Sequence, residues 1–271
     1  MISILGCGWY GLALGKALVK NDAKVKGSTT SAARLHELAN NGLVPYILQL
    51  PGTGSSINED FFSCQTLIIS IPPKLRSGDG DNYIVKLQLV ISLIIKHQIK
   101  QVIYISSTGV YLESNSVVNE LTVPNPDTLP GKILFEAEEL FRNQTDFKAT
   151  IIRFGGLVGP GRHPGRFFAG KQNIPNGQAP VNLIHQQDCV GLTQSILNQQ
   201  AFGYTFNACS PHHPHKSWYY TQAAVHAGLP LPHFVDELKD WKAIDSVNVP
   251  AVLGYEFKVN DWQKCFDGNL F

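Results

Sequence analysis

The sequence is poor in charge. Only 16% of its 271 residues are Asp, Glu, Lys or Arg, and the formal net charge is +1. We therefore expect no long-range attraction to nucleic acid or to anionic membranes. Long apolar runs are also missing, because the longest, Leu87 to Ile95, contains Ser92 and is too short to span a bilayer. The first residues lack the basic segment of a signal peptide. These absences predict a soluble, cytoplasmic protein.

Cysteines are few, odd in number and scattered, and none forms a C-x-x-C pair. The five are Cys7, Cys64, Cys189, Cys209 and Cys265. This pattern indicates reduced thiols, not a disulfide framework or a zinc site. Three histidines, His212, His213 and His215, lie close together, but they lack the i, i+4 spacing of a helical metal pair. We expect a flexible loop with titrating histidines there, and no metal site.

A glycine-rich turn near the start of the chain is the main functional signal. Ile2 to Leu5 predicts a buried strand, Leu12 to Lys20 predicts a helix, and Gly6, Gly8 and Gly11 between them have the G-x-G-x-x-G spacing. Such glycines allow a tight turn, a close approach of a pyrophosphate and a close helix–strand packing. The alternative is a tight turn that binds nothing. The predicted pyrophosphate-binding residues are Gly6, Cys7, Gly8, Trp9, Tyr10 and Gly11.

Ala23 to Gly27 predicts a second strand, which Lys24 and Lys26 should leave half-exposed. The end of this strand bears on the choice of cofactor. A chain that binds NAD usually has Asp or Glu about 20 residues past the glycines, to bind the ribose 2′-hydroxyl. Here the chain has Ser28 to Ser31, and Arg34 follows. Hydroxyls and a guanidinium suit a 2′-phosphate, so NADP is favoured over NAD. The alternative for Arg34 is a solvated helix face. The predicted 2′-phosphate residues are Thr29, Thr30 and Arg34.

Two further predicted strands end at the edge of the sheet where ligands bind. Thr66 to Ile71 is apolar throughout, as a central parallel strand is, and Pro72 ends it. Gln101 to Ser106 is the next strand. In an open α/β sheet the ligand crevice lies at the carboxyl ends of the strands. We therefore predict cofactor contacts from Ser70, Ile71, Pro72, Pro73 and Ser106. Ser107 and Thr108 are candidates for polarising a substrate.

Two predicted helices bear on assembly. Tyr83 to His97 is apolar around most of its circumference, whereas a surface helix needs only one apolar face. Either a subunit partner or the rest of the chain must cover it. Pro130 to Arg142 has an apolar stripe, with Glu136, Glu138 and Glu139 mostly on the other side.

Five segments together carry a family resemblance. They are Gly6 to Gly11, Ser106 to Tyr111, Arg153 to Gly161, Val181 to Asp188 and Leu253 to Phe257. In this order the chain resembles the extended, epimerase/dehydratase-like branch of the short-chain dehydrogenase/reductase superfamily. The resemblance implies an α/β fold, a Rossmann-type doubly wound parallel sheet with a small C-terminal substrate cap. It implies a dinucleotide-binding domain over residues 1–160, completed by elements from about 181–210, and a substrate cap mainly over 161–271.

The resemblance also implies site residues, and one of them departs from the pattern. Family members carry Tyr-x-x-x-Lys, in which the Lys lowers the pKa of the Tyr. Here Lys132 matches the Lys, but Thr128 stands at the Tyr position, and a Thr hydroxyl is too weak an acid to replace a phenol. The chain is thus similar to the atypical members. The other candidate proton donors are Tyr104, Tyr111 or a tyrosine from the C-terminal part of the chain.

The predicted catalytic residues are Ser107, Thr108 and Lys132. Lys132 would also contact the nicotinamide ribose, unless it is a solvated lysine. The other cofactor contacts implied by the resemblance are Phe154, Gly155, Gly156, Leu157 and Val158, which would flank the nicotinamide half together with residues 70–73. Family members often dimerise through two helices, which here predicts a homodimer through residues 83–97 and 130–142.

These predictions describe an NADP-dependent oxidoreductase, epimerase or dehydratase that acts on a small polar substrate such as a sugar nucleotide. The alternative is a non-catalytic NAD(P)-binding redox sensor or regulatory protein. A third possibility, a β-hydroxyacid- or pyrroline-type reductase, ends in an all-helical domain, and the β-rich, Pro-rich residues 149 to 210 argue against it.

Overall fold

The computed structural model describes residues 1–50, 57–73 and 80–271. These residues divide into two compact units, each built from three segments of the chain. The first consists of Met1–Val110, Pro126–Arg153 and Thr193–Phe206, and the second of Tyr111–Asn125, Phe154–Leu192 and Asn207–Phe271. In the described part of the chain, no helix is long and apolar enough to cross a membrane.

Strands and helices alternate along most of the chain. The strands are β1 (Ile2–Leu5), β2 (Val25–Thr29), β3 (Val44–Ile47), β4 (Thr66–Ile69), β5 (Gln101–Ser107), β6 (Ser116–Val118), β7 (Lys148–Phe154), β8 (Gly156–Val158), β9 (Leu183–His185), β10 (Thr205–Ala208) and β11 (Lys242–Ile244). The helices are α1 (Trp9–Lys20), α2 (Leu35–Asn40), α3 (Gly80–Lys96), α4 (Leu129–Arg142), α5 (Gln186–Gln199), α6 (Lys216–His226) and α7 (Trp262–Asp267).

The predicted doubly wound parallel sheet is confirmed. Among the described residues, seven strands form one parallel sheet in the order β10-β7-β5-β4-β1-β2-β3. The order reverses beside β1, which pairs in parallel with both β2 and β4. The carboxyl ends of these strands therefore meet at a topological switch point, where open α/β sheets bind ligands.

Helix α3 is covered mainly by its own chain. Tyr83, Leu87, Val90 and Ile94 are at most 2% exposed and pack in one core cluster with Phe61, Tyr104, Phe141 and further side chains of the first unit. The opposite side keeps only two large apolar side chains exposed, Val85 at 50% and Ile95 at 41%. Burial within one chain therefore explains most of the apolar pattern of this helix.

Two charged residues are buried where the sequence pattern predicts exposure. Lys26 was expected to leave the second strand half-exposed, yet it is 6% exposed because its ammonium binds the Asp60 carboxylate at 3.0 Å and the Ser63 carbonyl at 3.2 Å. Glu138 was expected on the polar side of α4, yet it is fully buried against Arg153. In both cases an ionic partner offsets the cost of burying the charge.

The second unit holds two small parallel pairs, β6 with β11 and β8 with β9. Its core cluster includes Leu183, Tyr219, Trp262 and Phe266. Asp188, in the first turn of α5, is fully buried. Its carboxylate accepts hydrogen bonds from the Tyr255 hydroxyl at 2.9 Å and from the backbone N–H groups of Lys258 and Val259 at 2.6 and 2.9 Å. Residues 255–259 are thereby fixed to the start of α5.

Candidate functional site

The three glycines of the first turn differ in whether the structure requires a glycine at their position. Gly6 has a φ of +99°, which only glycine adopts readily. A Cβ on Gly11 would lie 2.3 Å from the Gly6 carbonyl oxygen, so this glycine allows α1 to pack against the turn. Gly8 differs from both: its φ is −75°, and a Cβ there would meet no described atom within 4 Å. Nothing in the described protein requires glycine at position 8.

The start of α1 has the features of an anion site. Gly8 is the N-cap residue; within the described structure no side chain caps this end of the helix, and its first turn has no acidic residue. An α-helix begins with backbone N–H groups that have no intrahelical partner and with the positive end of its dipole. Phosphate groups bind at such ends when the backbone is accessible.

Hydrogen bonds from neighbouring strands hold the glycine turn. The Gly6 N–H donates to the Ser28 Oγ at 2.9 Å, and the Cys7 N–H donates to the Ser28 carbonyl at 2.8 Å. On the other side the Ser70 N–H donates to the Leu5 carbonyl at 2.8 Å. The Cys7 side chain is 1% exposed, and burial raises the pKa of its thiol to about 12, so this cysteine is not a nucleophile at neutral pH.

A cavity of about 340 Å³ opens at the carboxyl ends of β1, β2 and β4. Its walls combine the glycine turn, hydroxyls and aliphatic side chains, with two cations, Arg34 and Lys86. The lining residues are Leu5, Gly6, Cys7, Gly8, Ser28, Thr29, Thr30, Arg34, Leu48, Leu50, Ser70, Ile71, Pro72, Tyr83 and Lys86. Nine residues predicted to bind the cofactor therefore line one cavity: Gly6, Cys7, Gly8, Thr29, Thr30, Arg34, Ser70, Ile71 and Pro72.

Six other predicted cofactor residues of the first unit lie outside this lining: Trp9, Tyr10, Gly11, Pro73, Ser106 and Lys132. Trp9 is half-buried at the first position of α1. Tyr10 is 4% exposed, and its hydroxyl is 2.7 Å from the Thr193 hydroxyl. Gly11 packs on Gly6, and Pro73 directly follows the lining residue Pro72.

The electrostatics of the cavity favour an anion. Arg34 lines it and also pairs with Glu37 of the same turn, with Nε 2.9 Å from Oε2. The Arg34 side chain is 37% exposed, so this pair is a weak, solvent-screened one that leaves the guanidinium accessible. No carboxylate is among the described residues of the lining.

The end of β5 is held by a buried ionic cluster. The Ser106 hydroxyl donates to the Glu138 carboxylate at 2.6 Å, and Arg153 binds the same carboxylate through Nη2 at 2.6 Å. Arg142 adds a bond to Glu138 at 2.9 Å. The Ser106 side chain is thus engaged within the protein. The next residue, Ser107, is half-buried, and its Oγ accepts from the Gly109 N–H at 3.1 Å. Thr108 is 6% exposed.

Helix α4 begins directly against this turn. Thr128 is its N-cap, with the hydroxyl accepting from the Gly131 N–H at 3.2 Å. A Cβ on Gly131 would lie 2.4 Å from the Gly109 carbonyl oxygen, so only glycine permits this approach. Lys132 follows, with an exposed side chain. Residues 107–109 and the first turn of α4 are therefore neighbours, and Thr128 has a clear structural use.

The two tyrosines considered as proton donors are buried. Tyr104 is fully buried, stacked on Phe141, and its hydroxyl is 3.0 Å from that of Tyr83. Burial raises the pKa of both Tyr83 and Tyr104. In the second unit, the Tyr111 hydroxyl is within hydrogen-bond distance of the Asn119 carbonyl (2.9 Å) and the Asn207 Oδ1 (3.0 Å). Neither hydroxyl is suited to exchange a proton with a substrate.

Residues 154–158 lie in the second unit. Phe154 is 3% exposed. A Cβ on Gly155 would lie 2.9 Å from the Asn182 carbonyl oxygen, and one on Gly156 would lie 2.7 Å from the Cδ2 of Leu183, the first residue of β9. Leu157 and Val158 belong to β8. Packing against the backbone requires Gly155, in contrast to Gly8, whereas at Gly156 the added atom would meet the movable end of a side chain.

The histidine segment of the second unit is a loop, as predicted, and two of its side chains make hydrogen bonds within the unit. His212 accepts from the Trp262 N–H through Nδ1 at 3.0 Å, and His213 Nδ1 is 2.9 Å from the Val181 carbonyl. Burial lowers the pKa of His213. Within the described part of the chain, no group of three or more His, Cys, Asp or Glu side chains is placed to hold a metal.

Comparison with known proteins identifies a family. No protein-family model matches the chain. It is 35% identical to protein YeeZ of Escherichia coli, in strain K12 and in O157:H7, over 266 residues that cover 96% of each chain. The chain belongs to the YeeZ family. The two chains are therefore similar over nearly their whole length.

Solved structures show the same fold at low sequence identity. A short-chain dehydrogenase/reductase superfamily protein from Agrobacterium tumefaciens with bound NAD is similar with a TM-score of 0.79 at 16% identity, over 99% of this YeeZ-family chain and 97% of that one. A UDP-glucose 4-epimerase from Thermotoga maritima, with UDP-glucose, has a TM-score of 0.78 at 16% identity, over 98% and 96%. The Rossmann-type fold of NAD-binding epimerases is thus shared by this chain.

Several cavity residues were missed in the sequence. Leu48 and Leu50 follow β3, and the rule that ligands bind at the carboxyl ends of strands could have found them. Tyr83 and Lys86 come from α3, where an almost continuous apolar pattern gave no sign that one end faces a cavity. Gly131, which does not line the cavity, was also missed, because its contact with Gly109 is a tertiary one that the sequence does not show.

Proposed function

We propose that this chain binds a nicotinamide dinucleotide in its first unit. The pyrophosphate would rest on the N-terminus of α1, and the adenosine half would occupy the 340 Å³ cavity. Gly8 is the observation that carries this proposal. Neither its φ nor any neighbour within 4 Å requires a glycine, so the space next to its backbone is kept for a ligand.

A thermal-shift titration tests this proposal. A ligand that binds only the native state raises the free energy of unfolding, by about 2.7 kcal/mol at a ligand concentration of 100 times Kd. The thermal unfolding midpoint rises with it. NADPH, NADH and ADP-ribose should each raise the midpoint, whereas ribose 5-phosphate should not. If none of the dinucleotides stabilises the chain, the proposal is wrong.

NADP is the preferred cofactor in this proposal. Thr29 and Thr30 end β2 without a carboxylate to bind a 2′-hydroxyl, and Arg34 lines the cavity beside them. Lys86 adds a second cation on the α3 side. A 2′-phosphate would be attracted by both, and Arg can bind it in a fork. The NAD in the Agrobacterium protein belongs to that protein, and the test here is the ratio of the NADPH and NADH dissociation constants.

The reaction we propose is oxidoreductase, epimerase or dehydratase chemistry on a small polar substrate, with sugar nucleotides as the first class to test. The support is the shared fold of a UDP-glucose 4-epimerase. Ser107 and Thr108 would polarise the substrate, and Lys132 would contact the nicotinamide ribose. Thr128 occupies the position of the usual catalytic Tyr, so the proton donor must be another group. Substrate recognition is assigned to residues 161–271, which lie mainly in the second unit.

A turnover assay separates this activity from the alternative. UDP-glucose, UDP-glucuronate and their 4-epimers are incubated with the protein and either cofactor, with absorbance at 340 nm and product analysis as readouts. Turnover that falls at least tenfold in Ser107→Ala supports an enzyme. Tight NADPH binding without turnover supports the non-catalytic redox sensor, which the buried Tyr104 and the capping role of Thr128 favour.

We also propose that the chain forms a homodimer through α3 and α4. Val85 and Ile95 of α3 and Leu129 of α4 are 50%, 41% and 65% exposed, and these are apolar side chains that a second copy would cover. The measurement is the mass in solution by light scattering.

A further inference from the structure

The β4 end of the cavity is held by a pair of buried tyrosine hydroxyls. Tyr83, in the first turns of α3, is 2% exposed, and Tyr104 of β5 is fully buried. The Tyr83 hydroxyl donates to the Ile71 carbonyl at 3.0 Å, and the Tyr104 hydroxyl lies 3.0 Å from the Tyr83 oxygen. Because Tyr83 has one hydroxyl proton and gives it to Ile71, Tyr104 is the donor to Tyr83.

The carbonyl that receives this bond belongs to a ligand-facing segment. Ser70, Ile71 and Pro72 follow β4 and line the cavity together with Tyr83. The same segment supports the glycine turn, because a Cβ on Gly6 would lie 2.9 Å from both the Ile71 Cγ2 and the Ser70 carbonyl oxygen. A shift of this backbone would therefore change the cavity wall and the support of the turn together.

We propose that Tyr83 is a positioning residue for the dinucleotide, holding the Ile71 backbone against the glycine turn so that the cavity keeps its bound shape. The inference rests on the proposed function and deepens it. It places residues 70–72 beside the adenosine half, and not beside the nicotinamide half as the resemblance implies, since they line the same cavity as Thr30 and Arg34. Tyr104 acts only through Tyr83, because its hydroxyl orients that of Tyr83 and does not reach Ile71.

The test compares two variants that each lose one buried hydroxyl. Tyr83→Phe removes the bond to Ile71, whereas Tyr104→Phe leaves it in place. Dissociation constants are measured for NADPH by fluorescence titration and for adenosine 2′,5′-bisphosphate by calorimetry, with unfolding midpoints alongside. Loss of a hydrogen bond of ordinary strength predicts Kd values about 3- to 10-fold higher for both ligands in Tyr83→Phe. Tyr104→Phe should lower the midpoint but keep both Kd values within about twofold.

The outcomes separate a positioning role from a structural one. If Tyr83→Phe binds both ligands like the wild type, or if the two variants weaken binding equally, the inference is overturned. If the wild type binds neither ligand, the proposed function fails instead.

Hydrogen exchange of the wild type gives a second measurement, should Tyr83→Phe fail to fold. Adenosine 2′,5′-bisphosphate should slow exchange at the Ile71 amide. Unchanged exchange there would show that this segment does not meet the adenosine half.

Discussion

Gly11 lies so close to Gly6 that a Cβ on Gly11 would sit 2.3 Å from the Gly6 carbonyl oxygen, whereas a Cβ on Gly8, between them, would touch nothing described within 4 Å. One turn thus contains a glycine needed for folding and another that folding does not need. Substitutions within these six residues can therefore separate an effect on stability from an effect on the proposed ligand binding.

Alanine at these two positions should therefore have opposite effects. Gly8→Ala should change stability by no more than about 1 kcal/mol, because the φ of Gly8 suits any residue and the poorer N-cap that alanine makes offsets its lower unfolded-state entropy. The added methyl should weaken NADPH binding at least tenfold. Gly11→Ala should cost more than about 2 kcal/mol through overpacking. Urea unfolding and NADPH titration measure both. If Gly8→Ala binds NADPH normally, the pyrophosphate does not rest there.

Arg34 should decide between the two cofactors. Arg34→Ala removes a cation from the cavity lining, and an Arg bound to a phosphate contributes about 1.5–3 kcal/mol. NADPH affinity should fall about tenfold or more, while NADH affinity should stay within about twofold. Glu37→Gln is the matched control: it releases Arg34 from its ion pair and should keep or improve NADPH binding. An equal loss for both cofactors in Arg34→Ala would contradict the preference for NADP.

The buried cluster around Glu138 should be among the costliest sites to change. Glu138→Gln leaves the guanidinium of Arg153, which is 1% exposed, without its counter-charge. Breaking a buried ion pair from one side costs about 3–5 kcal/mol. The neighbouring Glu139→Gln breaks the Arg142 pair at a carboxylate that is 43% exposed, and should cost less than about 1 kcal/mol. If the two variants have similar unfolding midpoints in urea, the buried Glu138 contributes no more to the stability of the first unit than the exposed Glu139 does.

The second unit should lose stability in mild acid. Burial lowers the folded-state pKa of His163, His185 and His213. Their neutral forms therefore contribute stability that is complete above the unfolded pKa of about 6.5 and is lost as pH falls through the lower folded values. Three of the four tryptophans, Trp218, Trp241 and Trp262, belong to this unit, so fluorescence-detected urea unfolding reports on it.

The urea concentration at the unfolding midpoint should decrease as the pH is lowered from 7.5 to 5.5. Carboxylates stay ionised over this range. His185→Gln should reduce that dependence. Replacement of the exposed His36 of the first unit by Gln serves as the control and should leave it unchanged. A midpoint that is flat over this range would contradict the prediction.

Dimer formation should depend on one exposed valine. Val85→Glu places a charge on the outer face of α3, where the side chain is 50% exposed, so the fold should remain intact while a dimer dissociates. Val44→Glu, at a residue of β3 that is 48% exposed, is the matched control and should keep the wild-type mass. If the wild type already has the mass of one chain in light scattering, the homodimer proposal is wrong.

The fold was predictable because its signals are local. A glycine turn between a strand and a helix, followed by buried apolar strands, specifies a doubly wound sheet, and that sheet is observed. Much of the cavity followed from one rule about the carboxyl ends of strands. Lys26 and Glu138 were placed wrongly because a charged side chain looks the same in sequence whether its partner is water or a distant ion. Asp60 and Arg153, their partners, are 34 and 15 residues away. The side of α3 that faces the cavity was missed for a similar reason, since only packing reveals it.

The Asp188 carboxylate has a consequence for how the protein emerges from the ribosome. It is buried against N–H groups of residues 258 and 259, which are made about 70 residues after it, near the end of the chain. Until then a charged oxygen destined for the interior has only water to bind, and the loop that must close is long. The nascent second unit should therefore remain open and exposed to proteases and chaperones until residues 258 and 259 have left the ribosome.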